Sequence, residues 1–177
     1  LAPIIPYRSC KHYLVYTEKS ADCNSIMQLE DMERSAIMEI RTIKEQICDV
    51  CHKMWQLGWV AANDGNVSAK LEDGTFLATP TGMSKSFITP EKLIRIDARG
   101  NVLEAAEGLR PSSEIKMHLR CYEKRDDVWS VIHAHPPGAT GFAVAHRSMD
   151  MYNMIEDVAA IGSVPLTPYG TPSTSEV

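Results

Sequence analysis

At 177 residues, with 44% of them hydrophobic, the chain is long enough for one domain with a sizeable core. Its formal net charge of −5 argues against nucleic acid or an anionic membrane as the partner, and no apolar run approaches the roughly 18 residues of a membrane-spanning helix. Five cysteines are too few for a disulfide scaffold in a chain of this length, so we expect reduced thiols and a cytoplasmic location.

The N-terminal third of the chain divides into an irregular stretch and a helix. Residues 1–30 show no sustained hydrophobic period and are predicted to be a poorly ordered extension of a single domain at 31–177. From 31 to 57, apolar residues recur at helical spacing, which predicts an amphipathic helix that covers the core. Cys48 and Cys51 fall inside this pattern and are interpreted as packing residues, with a redox pair as the alternative.

The rest of the chain alternates short strands with helices. A hairpin is predicted around Asp73-Gly74, a strong turn signal. The predicted strands cover residues 67–71, 75–79, 93–97, 128–135 and an irregular 164–168, and the predicted helices cover 114–124, 138–145 and 155–161. Because several strands are joined by short turns, we expect a mainly antiparallel or mixed sheet with helices on its faces.

His133 and His135 end an apolar stretch that is predicted to be a buried strand. Because residues i and i+2 of a strand point to the same side, the two imidazoles should project together. Two adjacent imidazoles can chelate zinc or a similar divalent metal, and the alternative is a histidine pair hydrogen-bonded in a core or turn. Pro136 and Pro137 are predicted to end the strand and begin a helix.

Three turns, at 63–66, 79–82 and 111–114, carry glycine, hydroxyl or amide groups of the kind that hold phosphate. The third turn precedes a helix, where Ser112 and Ser113 are predicted either to cap the helix or to bind an anion. The helix dipole should keep Glu114 ionised, which a metal ligand or a base requires. Sequence spacing leaves open whether the three turns converge.

Two nearby residues have open roles. Lys85 is interpreted as an exposed loop lysine, and the alternative is a positive charge beside the turns. His118 lies four residues after Glu114 on the same helical face and is interpreted as a packing residue, with metal ligation as the alternative. The absence of G-x-S-x-G, P-loop and G-x-G-x-x-G motifs argues against serine hydrolases, NTPases and dinucleotide enzymes.

Taken in order, five motifs across about residues 38–177 resemble those of the class II aldolase/adducin family, and in particular its bacterial sugar-phosphate enzymes. The motifs are Gly65-Asn66-Val67-Ser68, Thr79-Pro80-Thr81-Gly82, Pro111-Ser112-Ser113-Glu114, His133-Ala134-His135-Pro136 and Tyr169-Gly170-Thr171-Pro172. The resemblance implies an α/β fold, namely a three-layer α/β/α sandwich with a central, mainly antiparallel sheet. It also implies a homotetramer, and a domain that is incomplete at its C-terminus.

The resemblance also implies roles for individual residues. His133 and His135 would be two of three zinc histidines, with the third expected beyond Val177, and Glu114 would be both the carboxylate beside the zinc and the catalytic group. The implied phosphate pocket consists of Asn66, Thr81, Gly82, Ser112 and Ser113.

The activity implied is a zinc-dependent aldolase, a carbon–carbon lyase. It would reversibly cleave a ketose phosphate, such as L-fuculose 1-phosphate, to dihydroxyacetone phosphate and an aldehyde. Two alternatives from the same family are a pentulose-phosphate 4-epimerase and a methylthioribulose-phosphate dehydratase. The alternative of another class is an adducin-like interaction domain without catalysis.

Overall fold

A computed structural model describes residues 23–149, 155–160, 162–171 and 174. The chain divides into two units, Leu1–Ala36 and Ile37–Val177. In the first unit, residues 23–36 are described, and they are helical. The sheet and the candidate site described below belong to the second unit. No helix in the described part of the chain is long and apolar enough to cross a lipid bilayer.

The described elements follow the order α-β-β-β-β-α-β-α-α along the chain. The helices are α1 (Cys23–Gln56), α2 (Ile115–Lys124), α3 (Pro137–Val144) and α4 (Ile155–Ala160), and the strands are β1 (Asn66–Lys70), β2 (Phe76–Ala78), β3 (Ile94–Ile96), β4 (Val102–Glu104) and β5 (Ser130–His133). Two short 3₁₀ turns, Lys85–Phe87 and Pro90–Lys92, connect β2 to β3.

The sheet has five strands in the order β4-β3-β2-β1-β5, and all four pairings are antiparallel. The predicted hairpin is present: β1 pairs with β2, and the Asp73 carboxylate accepts a hydrogen bond from the Thr75 N–H at 2.9 Å across the turn. Because short turns join β1 to β2 and β3 to β4, neighbouring strands reverse direction. The expectation of a mainly antiparallel sheet is confirmed.

The core lies on both faces of the sheet, because alternate strand residues point to opposite sides. Val67 and Ala69 of β1 pack in one apolar cluster with α1, which contributes Ile47 and Cys51. On the other face, residues of β2 and β3 form a second cluster with Tyr122 of α2. Helices therefore cover both faces of a central sheet, and the predicted three-layer α/β/α sandwich is confirmed.

The Cys48 and Cys51 thiols are buried in α1, as their helical spacing predicted. Burial raises the pKa of Cys48 to about 11 and that of Cys51 to about 12. Thiols with such pKa values stay protonated near neutral pH, and a protonated thiol is a poor nucleophile. These properties favour the packing interpretation over the redox pair.

Helix α1 begins at Cys23 rather than at residue 31, so residues 23–30 are helical and not an irregular extension. This stretch contains no glycine or proline to interrupt a helix. The remainder of the predicted extension, residues 1–22, lies outside the described residues. The predicted strand at 164–168 reduces to a single bridge between Met149 and Val164.

At the two edges of the sheet, one expectation was wrong and one strand was missed. β5 is not buried: in the described sheet it pairs with β1 alone, and Ile132 is 53% exposed. Apolar, β-branched composition favours a strand but does not distinguish an edge from the centre of a sheet. At the opposite edge, β4 was not predicted, because its three residues are all exposed and carry no alternation of apolar and polar side chains.

Candidate functional site

The three predicted phosphate turns and the histidine pair meet at one cleft of about 380 Å³. Its lining residues come from the turn before β1, the turn after β2, the start of α2, the end of β5 and a segment near the C-terminus. They are Asn63, Asp64, Gly65, Asn66, Pro80, Thr81, Ser112, Ser113, Glu114, His133, His135 and Gly170. The convergence that sequence spacing left open is therefore present in the fold.

Backbone hydrogen bonds hold the second turn against the third. Pro80 and Pro111 form an isolated antiparallel bridge, and the Thr81 N–H donates to the Arg110 carbonyl at 2.8 Å. The Thr79 hydroxyl accepts from the Val67 N–H at 3.1 Å, which attaches the same turn to β1. The start of α2 is thus fixed beside the end of the β1–β2 hairpin, although residues 80 and 111 are far apart in sequence.

Gly65 allows the first turn to pass close to β5. A Cβ atom at this position would lie 2.5 Å from Val60 Cγ1 and 2.8 Å from the His133 carbonyl oxygen, and the backbone φ is +69°. Both distances are shorter than van der Waals contact, so only glycine permits this approach. The approach places Asn66 directly opposite His133 in the β1–β5 register.

The ring nitrogens Nε2 of His133 and His135 lie 3.1 Å apart. The backbone N–H of His135 donates to the backbone carbonyl of Trp59 at 2.8 Å, which fixes the chain just after β5 ends. Two imidazole nitrogens bound to one tetrahedral zinc ion, at about 2.05 Å each, would lie about 3.3 Å apart. The pair therefore fits a shared divalent metal, and its separation also fits a hydrogen bond between the two rings.

Glu114 lines the same cleft at the residue that precedes α2, and its N–H donates to the Ser112 hydroxyl at 3.3 Å. Within the described residues, no three side chains of His, Cys, Asp or Glu lie close enough together to hold a metal ion. Coordination by Glu114, His133 and His135 together consequently stays a prediction, for which the structure supplies two convergent nitrogens and a carboxylate in one cleft.

Burial is the main cause that lowers the pKa of His133, and His135 lowers it further, whereas Glu114 and Asp64 act in the opposite direction. A lowered pKa favours the neutral imidazole, which is the form that binds metal ions.

Asp64 lines the cleft but was not predicted as a site residue, because an Asn-Asp-Gly segment is typical of any turn.

Asn66 connects the phosphate turns to the histidine pair. Its side chain is buried, and Nδ2 lies 3.4 Å from both the Ser112 hydroxyl and His133 Nδ1. Oδ1 is buried and has no hydrogen-bond partner among the described residues. Exchanging the amide oxygen and nitrogen would let the oxygen accept from an Nδ1–H of His133, which leaves Nε2 free to bind a metal.

Three predicted residues stand apart from the cleft lining. Gly82 follows Thr81 but is not one of the lining residues. His118 is completely buried, with Nδ1 2.7 Å from the Ser68 hydroxyl, which favours the packing interpretation.

The interpretation of Lys85 as an exposed loop lysine was wrong, because the residue is only 1% exposed. Its flanking residues, Ser84 and Ser86, give no sequence signal of burial.

The family model "Class II Aldolase and Adducin N-terminal domain" matches residues 45–177. The chain belongs to this family. An L-fuculose phosphate aldolase of Escherichia coli is 34% identical over 140 residues, which are 79% of this chain and 63% of that enzyme. A 5-methylthioribulose-1-phosphate/5-deoxyribulose-1-phosphate aldolase, also of Escherichia coli, is 32% identical over 140 residues and is covered to 64% of its length.

The fold agrees with this family assignment. A solved structure of an L-fuculose 1-phosphate aldolase superposes on this chain with a TM-score of 0.69 at 28% identity, covering 76% of this chain and 63% of that one. The chain of 177 residues therefore spans slightly less than two thirds of these relatives. The family and the architecture expected from the motifs are confirmed.

Proposed function

We propose that the chain is part of a zinc-dependent aldolase that reversibly cleaves a ketose phosphate, such as L-fuculose 1-phosphate, to dihydroxyacetone phosphate and an aldehyde. The observation that carries this proposal is the meeting of the histidine pair, a carboxylate and three phosphate-type turns at one cleft. The three relatives reported above are all named as sugar-phosphate aldolases, which supports the reaction class.

The substrate phosphate would occupy the part of the cleft formed by the turns. Thr81, Ser112 and Ser113 offer hydroxyl donors, and Asn66 offers an amide. The positive end of the α2 helix dipole favours an anion at the same place. Binding energy from this remote group would hold the reacting carbons in register, which raises the rate of the chemical step.

His133 and His135 would hold the metal, with Glu114 beside them. A divalent metal supplies a Lewis acid there, which stabilises negative charge that develops on substrate oxygen atoms. A hydrogen bond donated by His133 Nδ1–H to the side-chain amide oxygen of Asn66 would fix the orientation of that ring and leave Nε2 for the metal, as partners of metal-binding histidines commonly do.

Glu114 would carry the proton. When the bond between C3 and C4 of a 1-phosphorylated ketose breaks, the C4 hydroxyl loses its proton to water and becomes the carbonyl of the departing aldehyde, and the electron pair of the broken bond remains on C3. A carboxyl group beside that carbon donates the proton that completes dihydroxyacetone phosphate, and in the reverse direction the carboxylate removes it. The position of Glu114 in the cleft supports this role.

Product analysis tests the proposed reaction. The purified protein, equilibrated with zinc, is incubated with L-fuculose 1-phosphate and with other ketose phosphates. We expect dihydroxyacetone phosphate and an aldehyde in equal amounts. An epimerised ketose phosphate or the release of water would indicate one of the two related activities. Unchanged substrates throughout would contradict catalysis and favour the adducin-like interaction domain.

The proposal also includes a homotetramer in the cytoplasm. The protonated, buried thiols of α1 are compatible with a reducing compartment. Sedimentation equilibrium of the purified protein tests the assembly, for which we expect four times the monomer mass.

A further inference from the structure

Lys85 is a buried lysine whose hydrogen bonds go to backbone carbonyls. Its ammonium group donates to the Met83 carbonyl at 3.0 Å and to the Asn63 carbonyl at 3.4 Å. It forms no salt bridge with any residue that the structure describes. Lysine is almost never fully buried without such a partner, so its position requires an explanation.

The two acceptors of Lys85 belong to different turns of the candidate site. Asn63 lines the cleft in the turn before β1, and Met83 directly follows the turn at 79–82 that contributes Thr81. One side chain therefore connects two loops that meet only in the folded chain. The residue itself does not line the cleft, so it acts on the site through the backbone and through its charge.

The charge of Lys85 matters because the cleft beside it is lined by acidic side chains and by no basic one among the described residues. The described lining contains the carboxylates Asp64 and Glu114 and no lysine or arginine. Burial is the main cause that lowers the pKa of Lys85, while Cys51 and Asp64 oppose it. An ammonium group just beneath the first turn offsets the repulsion that the two carboxylates would exert on an incoming phosphate.

We propose that Lys85 is a positioning residue for the anion subsite: it ties the turn at 63–66 to Met83, which directly follows the turn at 79–82, and places positive charge beneath them. This inference rests on the proposed function, since it assigns the cleft to a phosphorylated sugar rather than a neutral one. Lys85 sets the shape and potential of the phosphate pocket without contacting the substrate.

Three variants of the protein test the inference. Lys85→Met removes the charge and both hydrogen bonds, and Lys85→Arg keeps the charge. Lys92→Met is the matched control. Lys92 lies in the second 3₁₀ turn, its ammonium group donates to the backbone carbonyl of Phe87, and it does not line the cleft. Calorimetry with inorganic phosphate gives the affinity for phosphate, and amide hydrogen exchange measures how often each of the two turns opens. Steady-state kinetics separates KM from kcat for any ketose phosphate that is turned over.

For Lys85→Met we expect the Kd for phosphate to rise about tenfold or more, with faster exchange in both turns and unchanged exchange in β1 and α2. We expect KM to rise by a similar factor while kcat changes by less than about threefold, since a pocket that only positions phosphate affects binding first. Lys85→Arg should recover part of the affinity, and Lys92→Met should match the wild type.

The outcomes separate this inference from the proposed function. Phosphate binding that depends on Lys85, without turnover of any ketose phosphate, supports the inference and contradicts the aldolase. Turnover with phosphate affinity and exchange unchanged in Lys85→Met overturns the inference and leaves the aldolase standing. A wild-type protein that binds no phosphate also overturns it.

If Lys85→Met does not fold, the wild-type protein decides. In a ¹⁵N-lysine NMR spectrum, a buried and hydrogen-bonded ammonium group exchanges slowly with water and gives a signal that Lys85→Arg lacks. Inorganic phosphate should shift that signal, and a signal that does not respond to phosphate overturns the inference.

Discussion

Glu114 is the residue whose chemical role is most open to a direct test. Glu114 lines the cleft with His133 and His135. A glutamine at this position would have the same size and keep an oxygen atom, but its amide could not carry a proton between substrate atoms. For Glu114→Gln we expect zinc to remain bound while kcat falls by a factor of about 10² to 10⁴. Zinc analysis and steady-state kinetics on the same preparation measure both quantities.

The control for this variant is Glu72→Gln, because Glu72 is an exposed carboxylate in the β1–β2 turn and does not line the cleft. It should retain wild-type turnover. A Glu114→Gln protein with wild-type kinetics would remove Glu114 from the mechanism.

At the residue scale, local chemistry could be predicted from the sequence, whereas burial could not. The prediction that the rings of His133 and His135 project together is confirmed, because their Nε2 atoms lie 3.1 Å apart, although β5 ends at His133. Lys85 and Asp64 were misjudged or missed, since their importance comes from contacts with loops distant in sequence. A lysine between serines carries no local sign that its ammonium group will be buried.

At the element scale, the turn before β1 must contain glycine at position 65. Alanine there would place Cβ against Val60 and the His133 carbonyl, at a backbone φ of +69°. We expect Gly65→Ala to lower the free energy of unfolding by about 2–4 kcal/mol, through left-handed strain plus overpacking. Urea denaturation measures the loss.

Gly74→Ala is the matched control, because Gly74 has a similar φ of +80° but no atom lies within 4 Å of the position that an alanine Cβ would occupy. It should cost about 1 kcal/mol. Equal stability of the two alanine variants would show that the close approach of the first turn to β5 is not as described.

The elements that were predicted correctly are those with strong local signals. The Asp-Gly turn specified the β1–β2 hairpin, and helical spacing specified α1 and α2. β4 escaped prediction because its exposed residues carry no alternation. The edge position of β5 escaped prediction because strand order depends on which strands meet in the folded chain. The same reason explains why the convergence of the three turns, fixed by the bridge between Pro80 and Pro111, required a structure.

At the scale of the whole molecule, the buried His118 makes stability depend on pH. Burial, and secondarily His133, lowers the pKa of His118 to about 4 from the usual 6.5. The unfolded chain therefore takes up a proton below pH 6.5 that the folded chain accepts only near pH 4. Stability falls as the pH falls through that window, by roughly 3 kcal/mol for this group.

Urea denaturation from pH 7 to pH 4 measures this dependence, and His118→Gln gives the comparison. The side chain of His118 lies against Ser68, which is also 2.8 Å from the Tyr122 hydroxyl, so the variant should be less stable at pH 7. Its stability should nevertheless fall less steeply between pH 6.5 and 4 than that of the wild type. Parallel curves for the two proteins would show that His118 is not held neutral by burial.

The proposed reaction depends on a divalent metal bound between His133 and His135, whose Nε2 atoms lie 3.1 Å apart. The most direct test is the zinc content of the purified protein after equilibration with zinc and removal of the excess. We predict one zinc ion per chain in the wild type and in His146→Ala, which changes an exposed histidine outside the cleft, and none in His133→Ala or His135→Ala. A wild type without zinc, or histidine-pair variants that retain it, would contradict a metal site at these two histidines.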